Sequence, residues 1–277
     1  MMQAAWYETC GAAAEVLRVG TMAVPGVGDG EVLVRLRASG VNPVDVKRRQ
    51  GARGGLAAER VIPHFDGAGV IEAVGAGVPA ERVGERAWVF GGQWQRDFGT
   101  AAEYIALASR QAVVLPESVS FAEASCLGIP ALTAHRAVHI GGPVTGETLL
   151  VTGGAGAVGR YAVQLAKMAG AHVIATVSSD EKTESARAAG ADEVINYTTE
   201  DVAARVMAVT DGVDKIVEVE FGGNLPVSME VLKDGGTIHA YASEADREPA
   251  LPFYDMMYRG IRLLPVLTFL TPRDEED

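Results

Sequence analysis

Leu149-Leu150-Val151-Thr152-Gly153-Gly154-Ala155-Gly156-Ala157-Val158-Gly159 begins as an apolar run, breaks into glycines and leads into the helix-forming stretch Tyr161-Ala162-Val163-Gln164-Leu165-Ala166-Lys167. This is a buried strand, a tight turn and a helix in succession. Gly154, Gly156 and Gly159 stand at G-x-G-x-x-G spacing. In a dinucleotide-binding turn the first glycine permits the bend and the second lets backbone approach a pyrophosphate. The third lets helix pack on strand, so that the helix N–H groups and dipole face the phosphates. With 33 glycines in the chain the spacing alone carries little; the strand before it and the helix after it carry more. The alternative reading is a glycine-rich turn that only packs.

Outward from this turn, apolar strands alternate with helices. Strands are predicted over 148–152, 172–177, 193–195, 213–219 and 237–241, and helices over 157–169, 181–189, about 200–209 and about 225–233. Residues 262–269 read as an apolar last strand. Such alternation predicts a Rossmann-type, doubly wound parallel sheet covered on both faces. The second strand ends in Val177-Ser178-Ser179, with no acid to hold a ribose 2′-hydroxyl. Ser178, Ser179 and Lys182 there favour a 2′-phosphate, so the expected cofactor is NADPH. Lys182 is alternatively an ordinary lysine at a helix start.

Residues 1–120 have another texture: short β-rich runs broken by Gly and Pro, such as the period-two stretch 31–37. Near 120 the pattern changes. Ser120 with Glu123 three residues on forms a capping box, and helical periodicity continues toward Ile140. The expected domains are therefore 1–120, mainly β, and 121–277, the dinucleotide-binding domain.

The charge of −12 and pI near 4.9 disfavour a nucleic-acid partner. The densest basic run, Lys47-Arg48-Arg49, reads as a solvated helix face. Only Cys10 and Cys126 are present, too few for a disulfide framework or a cysteine zinc cage. No apolar stretch suits a membrane span, and the N-terminus lacks a secretory pattern, so the expectation is a cytoplasmic protein.

Six landmarks in order carry a resemblance: Ser39-Gly40-Val41-Asn42-Pro43-Val44-Asp45-Val46-Lys47, Ile62-Pro63-His64-Phe65-Asp66-Gly67-Ala68-Gly69-Val70, Phe98-Gly99-Thr100-Ala101-Ala102-Glu103-Tyr104, Ile129-Pro130-Ala131-Leu132-Thr133-Ala134, the glycine turn, and Ile195-Asn196-Tyr197. With these the chain resembles the zinc-free quinone oxidoreductases, zeta-crystallin among them, of the medium-chain dehydrogenase/reductase superfamily. The resemblance covers nearly the whole length and implies a GroES-like first domain. Zinc-dependent relatives carry Cys where Asn42 stands and Gly-His-Glu where His64-Phe65-Asp66 stands. Asn, Phe and Asp do not make the thiolate and imidazole site of catalytic zinc, so no metal is expected, and His64 reads as structural.

The resemblance further implies an NADPH-dependent transfer of hydride to a quinone. Thr133 would lie by the nicotinamide carboxamide. Gly154, Gly156, Ala157, Val158 and Gly159 would hold the pyrophosphate. Ser178, Ser179, Lys182 and Tyr197 would surround the adenosine phosphate, with Tyr241, Ala242 and Ser243 alongside the cofactor. Asn42 and Lys47 would face the acceptor. Bland readings stay beside these: Asn42 bonding backbone in the turn before Pro43, and Tyr197 as a strand-end tyrosine. Asp45 and Asp66 read as structural hydrogen-bond acceptors.

Two departures from the family stand out. Lys47 and Arg53 replace frequent tyrosines, which implies a more cationic acceptor pocket. Family members also continue past the segment resembling 264–269 to complete the first domain, which leaves an expectation of an incomplete catalytic domain. A homodimer through the last strand's edge is expected. Rival functions are reduction of enones or 2-enoyl thioesters, and a non-catalytic NADPH-binding redox sensor or structural protein.

Overall fold

The protein's structure is a computed structural model that describes residues 1–270 except Arg53 and Ala57. Arg53, proposed above for the acceptor pocket, lies outside the described residues. Two compact units form, Met1–Ile129 and Pro130 onward.

In the first unit, β1 (Met2–Trp6) and β2 (Arg18–Met22) pair antiparallel, joined through the short helix α1 (Ala13–Val16). β3 (Glu31–Gly40), β4 (Asp66–Val74), β5 (Arg86–Val89), β6 (Tyr104–Ala108) and β7 (Ala112–Val114) form an antiparallel sheet in the order β6-β3-β4-β5-β7. Val32, Val34, Ile71, Val89, Ile105 and Leu107 pack as its core, which is what half-buried alternating strands predict. Helix α2 (Pro43–Arg49) leaves β3 at once, its start set by Pro43, whose fixed φ and missing N–H suit a first turn.

The basic run on α2 is not the solvated face expected. Arg49 is buried with its guanidinium on the Gly11 carbonyl, and Arg48 lies over the Phe65 ring at 5.4 Å. Both guanidiniums are flat donors that cover apolar or carbonyl surface while remaining charged.

The capping box at Ser120 forms, but α3 (Phe121–Ala124) stops after one turn. Leu127–Ala131 is a π-helical turn containing Pro130, and α4 (Leu132–His139) restarts beyond it. Pro130 has no N–H to continue an α-helical ladder, which interrupts the periodicity expected to run toward Ile140. Phe121, Ala124 and Leu127 pack with Ala68 and Leu115, so α3 belongs to the first unit.

The second unit is a six-stranded parallel sheet. Its strands are β8 (Thr148–Val151), β9 (His172–Val177), β10 (Glu193–Asn196), β11 (Val213–Glu218), β12 (Leu232–Ala240) and β13 (Arg262–Pro265). Their order, β10-β9-β8-β11-β12-β13, reverses between β8 and β11, which is the Rossmann switch point. Helices α5 (Ala157–Met168), α6 (Asp180–Ala188), α7 (Val202–Val209), α8 (Phe221–Val231) and α9 (Phe253–Tyr258) connect the strands. One buried cluster includes Leu149, Val151, Val163, Val173 and Val217, and the other Leu150, Ile174, Ile216, Leu225 and Ile238. Neighbours in sequence fall in opposite clusters, as period two requires when both faces are covered.

Three boundaries differ from the sequence reading by more than two residues. α8 begins at Phe221 rather than near 225, despite Gly222, Gly223 and Pro226. Burial of Phe221, Leu225 and Met229 in one cluster outweighs those poor propensities. β12 starts at Leu232 rather than 237, because Leu232 already pairs with Val213 across an irregular register. The last strand ends at Pro265, after which Thr268–Leu270 turns.

Candidate functional site

A parallel sheet puts every strand's carboxyl end on one edge, and the second unit assembles its predicted residues there. Between β8 and α5 the left-handed residue is Gly153, at φ +65°, the glycine that precedes the G-x-G-x-x-G run. Gly154 is required for a different reason: a Cβ would lie 2.7 Å from that of Ala175 on β9. At Gly159 a Cβ would meet the Gly153 carbonyl oxygen at 2.2 Å, so this glycine lets α5 close onto the turn as expected. Gly156 is the exposed N-cap of α5; among the described residues no side chain caps the helix's first N–H groups, and its first turn carries no acid. Ala157 and Val158 therefore begin a helix whose positive end is uncompensated. An anion fits there.

At the end of β9, Ser178 Oγ accepts from Lys182 Nζ at 2.7 Å, and Ser179 Oγ accepts from Lys182 N at 3.4 Å, capping α6. Each hydroxyl keeps its proton to donate. The pocket is less acid-free than Val177-Ser178-Ser179 suggests, since Asp180 and Glu181 occupy the first turn of α6. Asp180 is turned aside, its Oδ1 accepting from Asn196 Nδ2 at 3.2 Å. Tyr197 follows β10 with its ring exposed.

Toward the other half of the sheet, Thr133 on α4 is buried and its hydroxyl lies 2.6 Å from that of Thr268, just past β13. Tyr241 N donates to the Glu218 carbonyl and Phe221 N to the Ala242 carbonyl, both at 3.0 Å. Burial, with the Glu218 carboxylate nearby, pushes the Tyr241 phenol up. Ser243 Oγ accepts from Gly222 N at 2.9 Å and donates to the Asp246 carbonyl, so its hydroxyl proton is committed to the loop. A cavity of about 390 Å³ opens here, lined by Phe221, Tyr241, Ala242, Ser243, Leu263 and Val266 among others.

Sequence reading missed the group that organises this edge. Glu218 is fully buried at the end of β11, and its Oε1 accepts from Thr152 Oγ1 at 2.8 Å, Glu220 N at 2.6 Å and Asn224 Nδ2 at 2.9 Å. Burial pushes its carboxyl up. The available signal was an acid closing an otherwise apolar strand, Ile216-Val217-Glu218.

The first unit holds a different kind of site. Asn42 is buried at the start of α2; its N–H donates to Asp45 Oδ2 at 2.6 Å and its Nδ2 to Asp66 Oδ2 at 2.7 Å. Ile129 N donates to the same Asp66 oxygen at 2.8 Å. The other carboxylate oxygens, Asp45 Oδ1 and Asp66 Oδ1, are buried without a donor. Burial foremost, and for Asp45 also the neighbouring Asp66, drives these carboxyls up, Asp45 to about 7 and Asp66 to about 6. Lys47 lies half-buried on α2. His64 takes φ +80°, its Nδ1 2.9 Å from Ser39 Oγ, and burial lowers its pKa, which keeps it neutral. Phe65 is buried, and among the described residues no group of three or more His, Cys, Asp or Glu side chains is arranged to hold a metal ion.

The zinc-binding dehydrogenase family model matches residues 157–276, and the alcohol dehydrogenase GroES-like domain model matches residues 28–117. The chain is 34% identical to the quinone oxidoreductase of Rattus norvegicus over 94% of its own length and 79% of that protein's. It is 33% identical to 2-methylene-furan-3-one reductase of Solanum lycopersicum over 84% of its length, spanning 61% of that relative. A mycobacterial protein solved in complex with NADPH superposes with a TM-score of 0.83 at 28% identity, covering 97% of this chain and 82% of the other.

Proposed function

Because the chain belongs to the quinone oxidoreductase-like branch of the medium-chain dehydrogenase/reductase superfamily, an oxidoreductase family, we propose that it is a zinc-independent reductase that uses NADPH to reduce a quinone. The observation that carries the cofactor half is the pairing of an uncapped α5 N-terminus with the Ser178–Lys182 contact, one suited to a diphosphate and the other to an added phosphate. When bound, NADPH supplies a hydride. The chain's own part is to hold the two ends: backbone N–H groups of Ala157 and Val158 at the diphosphate, Ser178, Ser179 and Lys182 at the 2′-phosphate with Tyr197 beside the adenosine, and Thr133 with residues 241–243 toward the nicotinamide. Zinc independence is supported by the residues in place. Asn42, which donates its amide N–H to Asp66, and Phe65, an apolar core residue, bring neither the thiolate nor the imidazole that catalytic zinc takes.

On the acceptor side Asn42 and Lys47 remain the proposed contacts, and catalysis then rests mainly on positioning. A second reading, reduction of an activated C=C bond, is favoured by the likeness to the furanone reductase. Steady-state oxidation of NADPH with a benzoquinone, an enone and an enoyl thioester tests both. Fastest turnover with the quinone is expected; fastest turnover with the enone moves the assignment to the second reading, and binding without turnover on any acceptor contradicts both.

The outer side of β13, an edge of the sheet, is the proposed homodimer contact. No helix among the described residues is long and apolar enough to cross a membrane.

A further inference from the structure

The loop after β12 lies on the start of α8, and what ties it there is polar. Residues 244–248 are exposed, so no apolar burial pins them. Instead Glu220, which precedes α8, accepts from Glu244 N at 2.9 Å and 3.0 Å on its two oxygens and from Ala245 N at 3.0 Å. Ser243 Oγ and Gly222 N add a third tie. Gly222 is needed for it, since a Cβ there would sit 2.2 Å from the Asp246 carbonyl oxygen.

Glu220 is itself held. Its N–H donates to Glu218 Oε1, the same oxygen that receives Thr152 Oγ1, and Thr152 directly precedes the phosphate turn. One buried carboxylate thus anchors both the turn at Gly153 and the residue that grips the loop. A doubly wound sheet binds a dinucleotide as two mononucleotides, one per half. β8, β9 and β10 serve the adenosine half, and the loop after β12 belongs to the nicotinamide half.

We propose that Glu220 is a positioning residue for the nicotinamide half of the cofactor: its carboxylate grips the N–H groups of Glu244 and Ala245 and fixes the loop 241–245 in register with the phosphate turn. The proposal rests on the NADPH reading above and adds the residue that sets the second half of that site. Glu220 touches no reacting atom in this role.

Equilibrium titration of the full chain with NADPH and with 2′,5′-ADP, which carries the adenosine phosphates and no nicotinamide, tests it. In Glu220→Ala, the Kd for NADPH rises about tenfold, the worth of one charge-assisted hydrogen bond, while the Kd for 2′,5′-ADP stays unchanged. Glu220→Gln loses less, because its amide oxygen still accepts one N–H. Unaltered NADPH affinity in both variants overturns the proposal, as does a parallel loss of both ligands, which marks a general structural role. A wild-type chain that binds 2′,5′-ADP and NADPH equally well overturns it too, whereas one that binds neither removes the NADPH reading on which it rests.

Discussion

The turn at Gly153–Gly159 and the cluster around Asn42 handle buried polar groups in opposite ways. In the turn, glycines let backbone come together so closely that main-chain N–H groups end up free at an exposed helix start. In the cluster, two carboxylates are taken out of water and given too few donors, one oxygen of each remaining unpaired. The first arrangement stabilises an anion that comes from outside; the second carries its anions inside at a standing cost. A site made of backbone is therefore rigid to pH and intolerant of Cβ atoms, whereas a site made of buried acids tolerates side-chain change and responds to protons.

The largest effect should come from breaking the backbone site. Gly159→Val places carbon 2.2 Å from the Gly153 carbonyl oxygen, so either α5 or the turn must move. More than about 4 kcal/mol of stability should be lost, read as the midpoint of urea unfolding, with NADPH binding lost in whatever folds.

Next in size is the pH response of the cluster. The Asp45 carboxyl rises from 3.8 to about 7 on folding. Its folded form binds the proton more tightly, so the stability it contributes is present below 3.8 and is lost as the pH rises through about 7. Asp45→Asn should remove that dependence and gain on the wild type by up to about 4 kcal/mol between acid and alkaline conditions. Parallel unfolding curves for the two proteins from pH 4 to pH 8 would contradict the buried, strained carboxylate.

A smaller effect follows from removing an acceptor instead of a charge. Asp66→Ala leaves the Asn42 amide and the Ile129 N–H without their partner, at a cost of about 2 to 3 kcal/mol. Paired with Asn42→Ala in a double-mutant cycle, the two losses should be less than additive, because they share one bond.

How much of this the sequence disclosed follows the same division. The glycine turn and the six parallel strands were legible because contiguous residues encode them: spacing of glycines, and apolar alternation at period two or 3.6. The motif spacing does not reveal that Gly153, outside it, takes the positive φ, while Gly154 is needed for its packing against Ala175. Asp45 and Asp66 are hydrogen-bond acceptors, as their sequence context implies, but the unpaired second oxygen on each leaves no trace in the sequence. Asp66 draws its donors from residues 24 and 63 positions away, and no local pattern records such partners. Glu218 escaped for the same reason, its Thr152 partner lying 66 positions back. The helix break at Leu127–Ala131 needed only Pro130 to be weighed, and the alanine-rich periodicity on either side concealed it.

Smallest, and most specific, is the exchange of one ammonium. Lys182→Ala should weaken NADPH binding about tenfold and leave NADH unaltered, since Lys182 Nζ stands on Ser178 Oγ, where the added phosphate is proposed to lie.

Calorimetric titration of the wild-type chain with NADPH and NADH side by side tests the central claim most directly. Saturable heat with both, and NADPH the tighter by about tenfold or more, is the predicted result. No heat with either nucleotide, or equal affinity for the two, would contradict a diphosphate held on the α5 N-terminus with its extra phosphate at Ser178 and Lys182.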